Sequence, residues 1–171
     1  MSRPEKGEYA EYYERYVGLV PETEIVAVLR EQLTAVSDIF AAMPEAQGGF
    51  AYAPGKWTIK QLVGHLIDGE RVFAYRALRF ARRDPAPLEG FEQDHYVANA
   101  DFDSISLADL VEELVLLRRA NIIFFNNLNE EMWSRQGVAS GAGVSVRALA
   151  FIMAGHIRHH LNILKERYLA Q

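Results

Sequence analysis

The stretch Trp57-Thr-Ile-Lys-Gln-Leu-Val-Gly-His65-Leu-Ile-Asp-Gly-Glu-Arg-Val-Phe73 decides how the whole chain is read. Thr58 followed three residues later by Gln61 is a capping box: the threonine hydroxyl accepts from a free backbone N–H while the glutamine side chain reaches back. Leu62, His65, Leu66, Gly69, Val72, Phe73 and Leu78 then continue one face at helical spacing. The pattern ends at Asp84-Pro85, because proline lacks the N–H and clashes with the preceding turn. A histidine therefore stands on a stripe that is otherwise apolar.

Three more segments read the same way. Between Glu22 and Met43, Val26, Leu29, Leu33, Val36, Phe40 and Met43 fall at steps of three and four, with Pro21 and Pro44 limiting the ends. A third helix is expected from about Ser106 to Leu128, carrying Leu107, Leu110, Leu114, Leu117, Ile122 and Phe125. A fourth opens at Ser145, an N-cap residue, and runs to Tyr168 with Leu149, Ile152, Met153, His156, His160, Ile163 and Leu164 on one broad stripe. Residues 1–21 form an N-terminal arm or short helix. Gly48 to Gly55 and Gly137 to Gly143 are rich in turn formers. The second and third helices are joined by a long connection of roughly twenty residues, against a usual median of about 4–6. With no convincing strand alternation, the expected fold is an all-α four-helix bundle, one domain over residues 1–171.

Composition narrows the function classes. The 171 residues are 50% hydrophobic and 24% charged, a balance that suits a packed soluble protein. A net charge of -5 argues against a general nucleic-acid partner, which needs a basic excess or patch. No cysteine is present, so thiolate zinc sites, disulfides and a cysteine nucleophile are excluded, and thiol chemistry needs a thiol from outside. The N-terminus lacks the apolar stretch of a secretory signal and no segment offers about 18 consecutive apolar residues. A cytoplasmic protein with no membrane partner is the expectation.

His156 and His160 are four residues apart on a helix, so both rings project from successive turns onto one face and can share a metal ion. His65 comes from another inward stripe, where packing can place it opposite the pair. Three nitrogen ligands leave coordination positions free, the mark of a catalytic and not a closed structural zinc site. Each histidine alone is more simply a core residue bonded to a carbonyl. Their conjunction on two inward faces favours ligation. His159 is three residues from His156 and competes with His160, and spacing does not choose between them. Ile157 stands where a zincin would carry its glutamate, which disfavours that protease mechanism.

Pro54-Gly-Lys-Trp-Thr-Ile-Lys-Gln-Leu-Val-Gly-His65-Leu, Gly155-His-Ile-Arg-His-His160 and the loop segment Glu92-Gln-Asp-His-Tyr-Val97 together resemble the DinB/YfiT-like superfamily of metal-dependent enzymes. The resemblance spans nearly the whole chain. It implies a four-helix bundle, and it implies His65, His156 and His160 as ligands of a divalent ion, zinc or nickel foremost. It also implies either hydrolysis or S-transfer with a low-molecular-weight thiol cosubstrate, acting on a small molecule. A non-catalytic, metal-binding stress-response bundle is the alternative, and a metal-free helical interaction protein a third. A homodimer through an exposed helix face is the candidate assembly.

The remaining candidates are weaker. Asp68 lies beside His65 on the helix and can contact a ligand ring, whereas Glu70 points well round. Asp94, His95 and Tyr96 in the long connection can close over the site. Trp57 and Tyr52 can line a pocket, but packing at the helix start explains them equally. Arg71, Arg76, Arg79, Arg82 and Arg83 spread around their helix, as a solvated face with carboxylate partners would.

Overall fold

The capping residues mark where the helices begin. In the computed structural model, which describes residues 2–170, Thr58 Oγ1 accepts from Gln61 N at 3.1 Å and Gln61 Oε1 accepts from Thr58 N at 3.0 Å. The capping box opens α3 (Ile59–Ala81), the helix of the first histidine. α1 (Glu14–Val17) and α2 (Ile25–Ala41) precede it. α4 (Gln93–Asn99) interrupts the long connection. α5 (Leu107–Asn126) is capped by Ser106, and α6 (Glu130–Ser134) by Asn129. α7 (Val146–Ile163) is capped by Ser145 and widens at its end into a π-turn at Leu164–Tyr168. No helix among the described residues is long and apolar enough to cross a membrane.

α3 packs on α5 and α7, and α2 packs on the same two, which closes a four-helix bundle. The apolar core falls into two clusters stacked along the bundle axis. One holds Val28, Leu29, Phe73, Phe125 and Met153, the other Val36, Leu66, Leu114, Ile157 and Leu161. Between them, each long helix contributes a polar residue at the crossover: Gln32, Glu70, Arg118 and His156. Leu78 does not join the inward stripe of α3. It is exposed, because Ala77, Phe80 and Ala81 take the core positions there.

The Gly-rich crossing before α7 corrects the expectation of a chain without strands. β1 (Gln136–Ala139) and β2 (Ala142–Ser145) form an antiparallel hairpin with Ala139 opposite Ala142. Ser140 (φ 52°) and Gly141 (φ 76°) make its two-residue turn, and positive φ at both positions matches the right-handed strand twist. Leu88 of the long connection adds a parallel bridge to Ala139. The N-terminal arm is pinned to the start of α7: Glu8 accepts from Ser145 Oγ at 2.7 Å and pairs with Arg147. α1 then lies against α7, and Gly155 permits the approach, since a Cβ there would stand 2.1 Å from the Tyr16 carbonyl oxygen.

Candidate metal centre

His65 lies in the second turn of α3, and His156 and His160 occupy successive turns of α7, the helix packed against it. Nε2 of His65 is 2.9 Å from Nε2 of His156 and 3.2 Å from Nε2 of His160. Tetrahedral bonds of about 2.0–2.1 Å to one ion require N···N separations of roughly 3.3 Å. The rings thus converge at close to ligation distance before any ion is considered. Each Nε2 of a neutral imidazole offers one N–H or one lone pair. His65 Nε2 therefore cannot form two ordinary hydrogen bonds with its neighbours, whereas a cation would use all three lone pairs. The donor set fits a divalent ion of the imidazole-binding kind.

Burial keeps these rings in the form a metal needs. Their exposures are 2%, 4% and 8% for His65, His156 and His160. Burial, and then the neighbouring His159, brings the pKa of His65 down to about 4. Burial followed by His65 brings His160 down to about 2, and burial followed by His160 sets His156 well below its ordinary value. Desolvation disfavours the cation, so all three are neutral at pH 7.

Ring packing orients them. Trp57 lies 4.8 Å from His65 between ring centroids, and Tyr16 and Phe73 meet His156 edge-on at 5.3 and 5.8 Å. Gly69 leaves room for the His156 ring, because a Cβ there would be 2.8 Å from its Cε1. His159, the rival by spacing, is outside this nitrogen cluster and packs against Tyr16 at 5.5 Å.

A cleft of about 470 Å³ reaches His160, with walls that include Tyr52, Lys56, Trp57, Asp94, Ile163 and Tyr168. Asp94 is thus placed as the long connection suggested, while His95 and Tyr96 are exposed on α4 and do not line this cleft. Trp57 and Tyr52 form its aromatic wall and also pack against the apolar cluster that holds Leu66 and Ile157. Asp68 is half-buried, its carboxyl raised by burial against the opposing effect of Arg71. No hydrogen bond from it to His65 occurs among the described residues.

Sequence reasoning missed Glu70. It is 2% exposed, accepts from Arg118 Nη2 and Asn121 Nδ2 at 2.8 Å each, and lies in the layer that contains His156. Arg118 Nη1 also donates to Gln32 Oε1 at 3.0 Å, and Gln32 Nε2 donates to the Ala154 carbonyl at 2.7 Å. One chain of hydrogen bonds thus links α3, α5, α2 and α7. The arginines of α3 mostly behave as a solvated face. Arg71 pairs with Glu113, Arg79 with Asp84 and Arg83 with Glu131. Arg76 departs from this: it is buried and donates to the Glu89 carbonyl and Ser140 Oγ, tying the long connection to the hairpin.

Comparison with known proteins agrees with this architecture. YfiT from Bacillus subtilis, described as a probable metal-dependent hydrolase with an unusual four-helix bundle topology, superposes with a TM-score of 0.77 at 16% identity. The match covers 96% of this chain and 90% of YfiT. A mycothiol-dependent maleylpyruvate isomerase superposes at 0.68 and 14% identity, over 85% of this chain and 61% of the isomerase, so the chain spans less than two thirds of that protein. At such identities the likeness is one of fold. Among curated proteins none matches the sequence. The sequence model of the DinB superfamily matches residues 29–164, from α2 to the end of α7 and so across all three histidines. On that match, carried by most of the chain, this protein belongs to the DinB superfamily.

Proposed function

We propose that the chain holds a divalent metal ion, zinc or nickel, through His65, His156 and His160. On this reading it works as a metal-dependent enzyme on a small molecule, by hydrolysis or by transfer of a low-molecular-weight thiol. The observation that carries this reading is the convergence of three neutral Nε2 atoms, with His160 of the three lining an open cleft. A bound ion supplies Lewis-acid chemistry there, acidifying a water or thiol at its free positions.

The chain's own residues do the rest. His65 and His156, packed under Trp57, Tyr16 and Phe73, exclude solvent from the inner side, and His160 faces the cleft. The aromatic wall of Trp57, Tyr52 and Tyr168 offers apolar contact to a substrate, and Asp94 and Lys56 offer polar groups at its mouth. The cleft also favours an enzyme over a purely structural metal bundle, which would close the site with a fourth protein ligand. The two structural relatives, a probable metal-dependent hydrolase and a mycothiol-dependent isomerase, are in keeping with both chemical routes.

The test is a screen of small esters, amides and soft electrophiles with and without added thiols, using metal-loaded and metal-stripped protein. Turnover that disappears on stripping and returns with zinc or nickel is expected. Turnover that survives complete removal of metal would overturn the mechanism.

A further inference from the structure

The cleft that ends on His160 carries one charge of each sign, and neither is used by the protein. Lys56 and Asp94 both line it, and among the described residues neither side chain has a hydrogen-bond or ion-pair partner. Two other charges near the cleft are engaged. Lys60 pairs with Glu45 at 2.7 Å, and Asp103 accepts from Thr58 Oγ1 at 2.6 Å and Gln61 Nε2 at 3.0 Å. The two free groups also stand on fixed backbone. Lys56 closes a turn through Ala53-Pro54-Gly55, its N–H donating to the Ala53 carbonyl at 3.2 Å with Gly55 at φ 72°. Proline at the second and a positive-φ glycine at the third position are what a type II turn requires. Asp94 lies in the first turn of α4. The rings of Trp57, Tyr52 and Tyr168 supply the apolar part of the wall, held by the bond from Tyr168 Oη to the Trp57 carbonyl at 2.8 Å.

We infer that the cleft selects zwitterionic ligands of the amino-acid type, Lys56 taking the carboxylate and Asp94 the ammonium, with the ligand's side chain directed towards His160. This rests on the metal-centre reading above and adds the substrate class to it. With a thiol route, the matching class is the α-amino-acid thiols, of which cysteine is the smallest. An ammonium–carboxylate pair at a partly open mouth contributes modestly, so each contact is worth about two- to fivefold in affinity.

Four thiols separate the two contacts: cysteine carries both charges, cysteamine the ammonium alone, 3-mercaptopropionate the carboxylate alone, and 2-mercaptoethanol neither. Each is titrated into the cobalt(II)-loaded full chain, following the thiolate-to-cobalt absorption, with cobalt content measured on the same samples. Lys56→Met is expected to weaken cysteine and 3-mercaptopropionate by about two- to fivefold, and Asp94→Asn to weaken cysteine and cysteamine by as much. Neither change should move 2-mercaptoethanol, and Lys56→Arg and Asp94→Glu should restore binding. Because chelation of cobalt by a ligand amine is indifferent to Lys56 and Asp94, the variants isolate the charge contacts. Variants that weaken all four thiols equally, or none, in protein that holds cobalt would overturn this inference and leave the metal reading standing. Wild type that holds no cobalt would overturn both.

Discussion

Glu70 and Arg118 occupy the same cross-section of the bundle as His156, yet the two halves of that layer are completed differently. On one side every group has a protein partner: Glu70 takes Arg118 and Asn121, Arg118 takes Gln32, and Gln32 takes the Ala154 carbonyl. On the other, three neutral imidazoles turn their Nε2 atoms towards one another, and His65 Nε2, with one N–H or one lone pair, cannot bond both neighbours. The first half contains net charges, and it is closed. The second contains neutral rings, and it is open to a cation and to the cleft. Polar burial that satisfies itself holds helices together, whereas polar burial left incomplete waits for a ligand.

The sharpest way to break this contrast is to open the closed half. Arg118→Met leaves Glu70 buried without its cation, and the unfolding free energy is expected to fall by about 3–5 kcal/mol in a denaturant titration. Adding Glu70→Leu should recover a large part of that loss, since an apolar pair of similar volume avoids the uncompensated charge.

A somewhat smaller effect per residue follows from the open half. In the metal-free protein the three rings are harder to protonate than in the unfolded chain, where histidine titrates near 6.5. As the pH falls below 6.5 the unfolded state binds protons that the folded state refuses, so stability is lost. For His65 the loss is complete only below its folded pKa of about 4. The cost from His65 alone is on the order of 3 kcal/mol. Thermal unfolding between pH 7 and pH 4 should show the decline in the apoprotein. A variant with all three rings replaced by asparagine should show a flatter profile.

The smallest change addresses how the rings are held. Gly69→Ala puts a methyl 2.8 Å from His156 Cε1, which should cost about 1–3 kcal/mol in stability through overpacking. Metal affinity should fall roughly ten- to hundredfold, the range for disturbing a group that supports a ligand. Gly143→Ala is the control, because an added Cβ there meets no atom within 4 Å, and metal affinity should not change.

Much of this molecule was legible in its sequence wherever the signal was local. The capping box at Thr58, the serine cap at Ser145, and the i, i+4 histidines depend on residues within a turn of one another, and each stands where its spacing put it. The hairpin was readable in principle from the Ser140-Gly141 dipeptide between two short apolar runs, but a run of glycines reads more readily as loop. Glu70 was not readable. Its meaning lies in Arg118, 48 positions away on another helix, and a helical wheel shows only that it points away from His65. The choice between His159 and His160 had the same character. Both positions are compatible with α7, and packing against α3 and α1 turns one ring towards His65 and the other towards Tyr16.

The central claim is that the open half of the layer is a metal site, and the metal content of tag-free protein tests it most directly. Elemental analysis after equilibration with zinc or nickel and removal of free ion should find close to one equivalent per chain in wild type. The His156→Ala/His160→Ala variant should hold essentially none. Wild type that retains no more metal than this double variant would contradict the account.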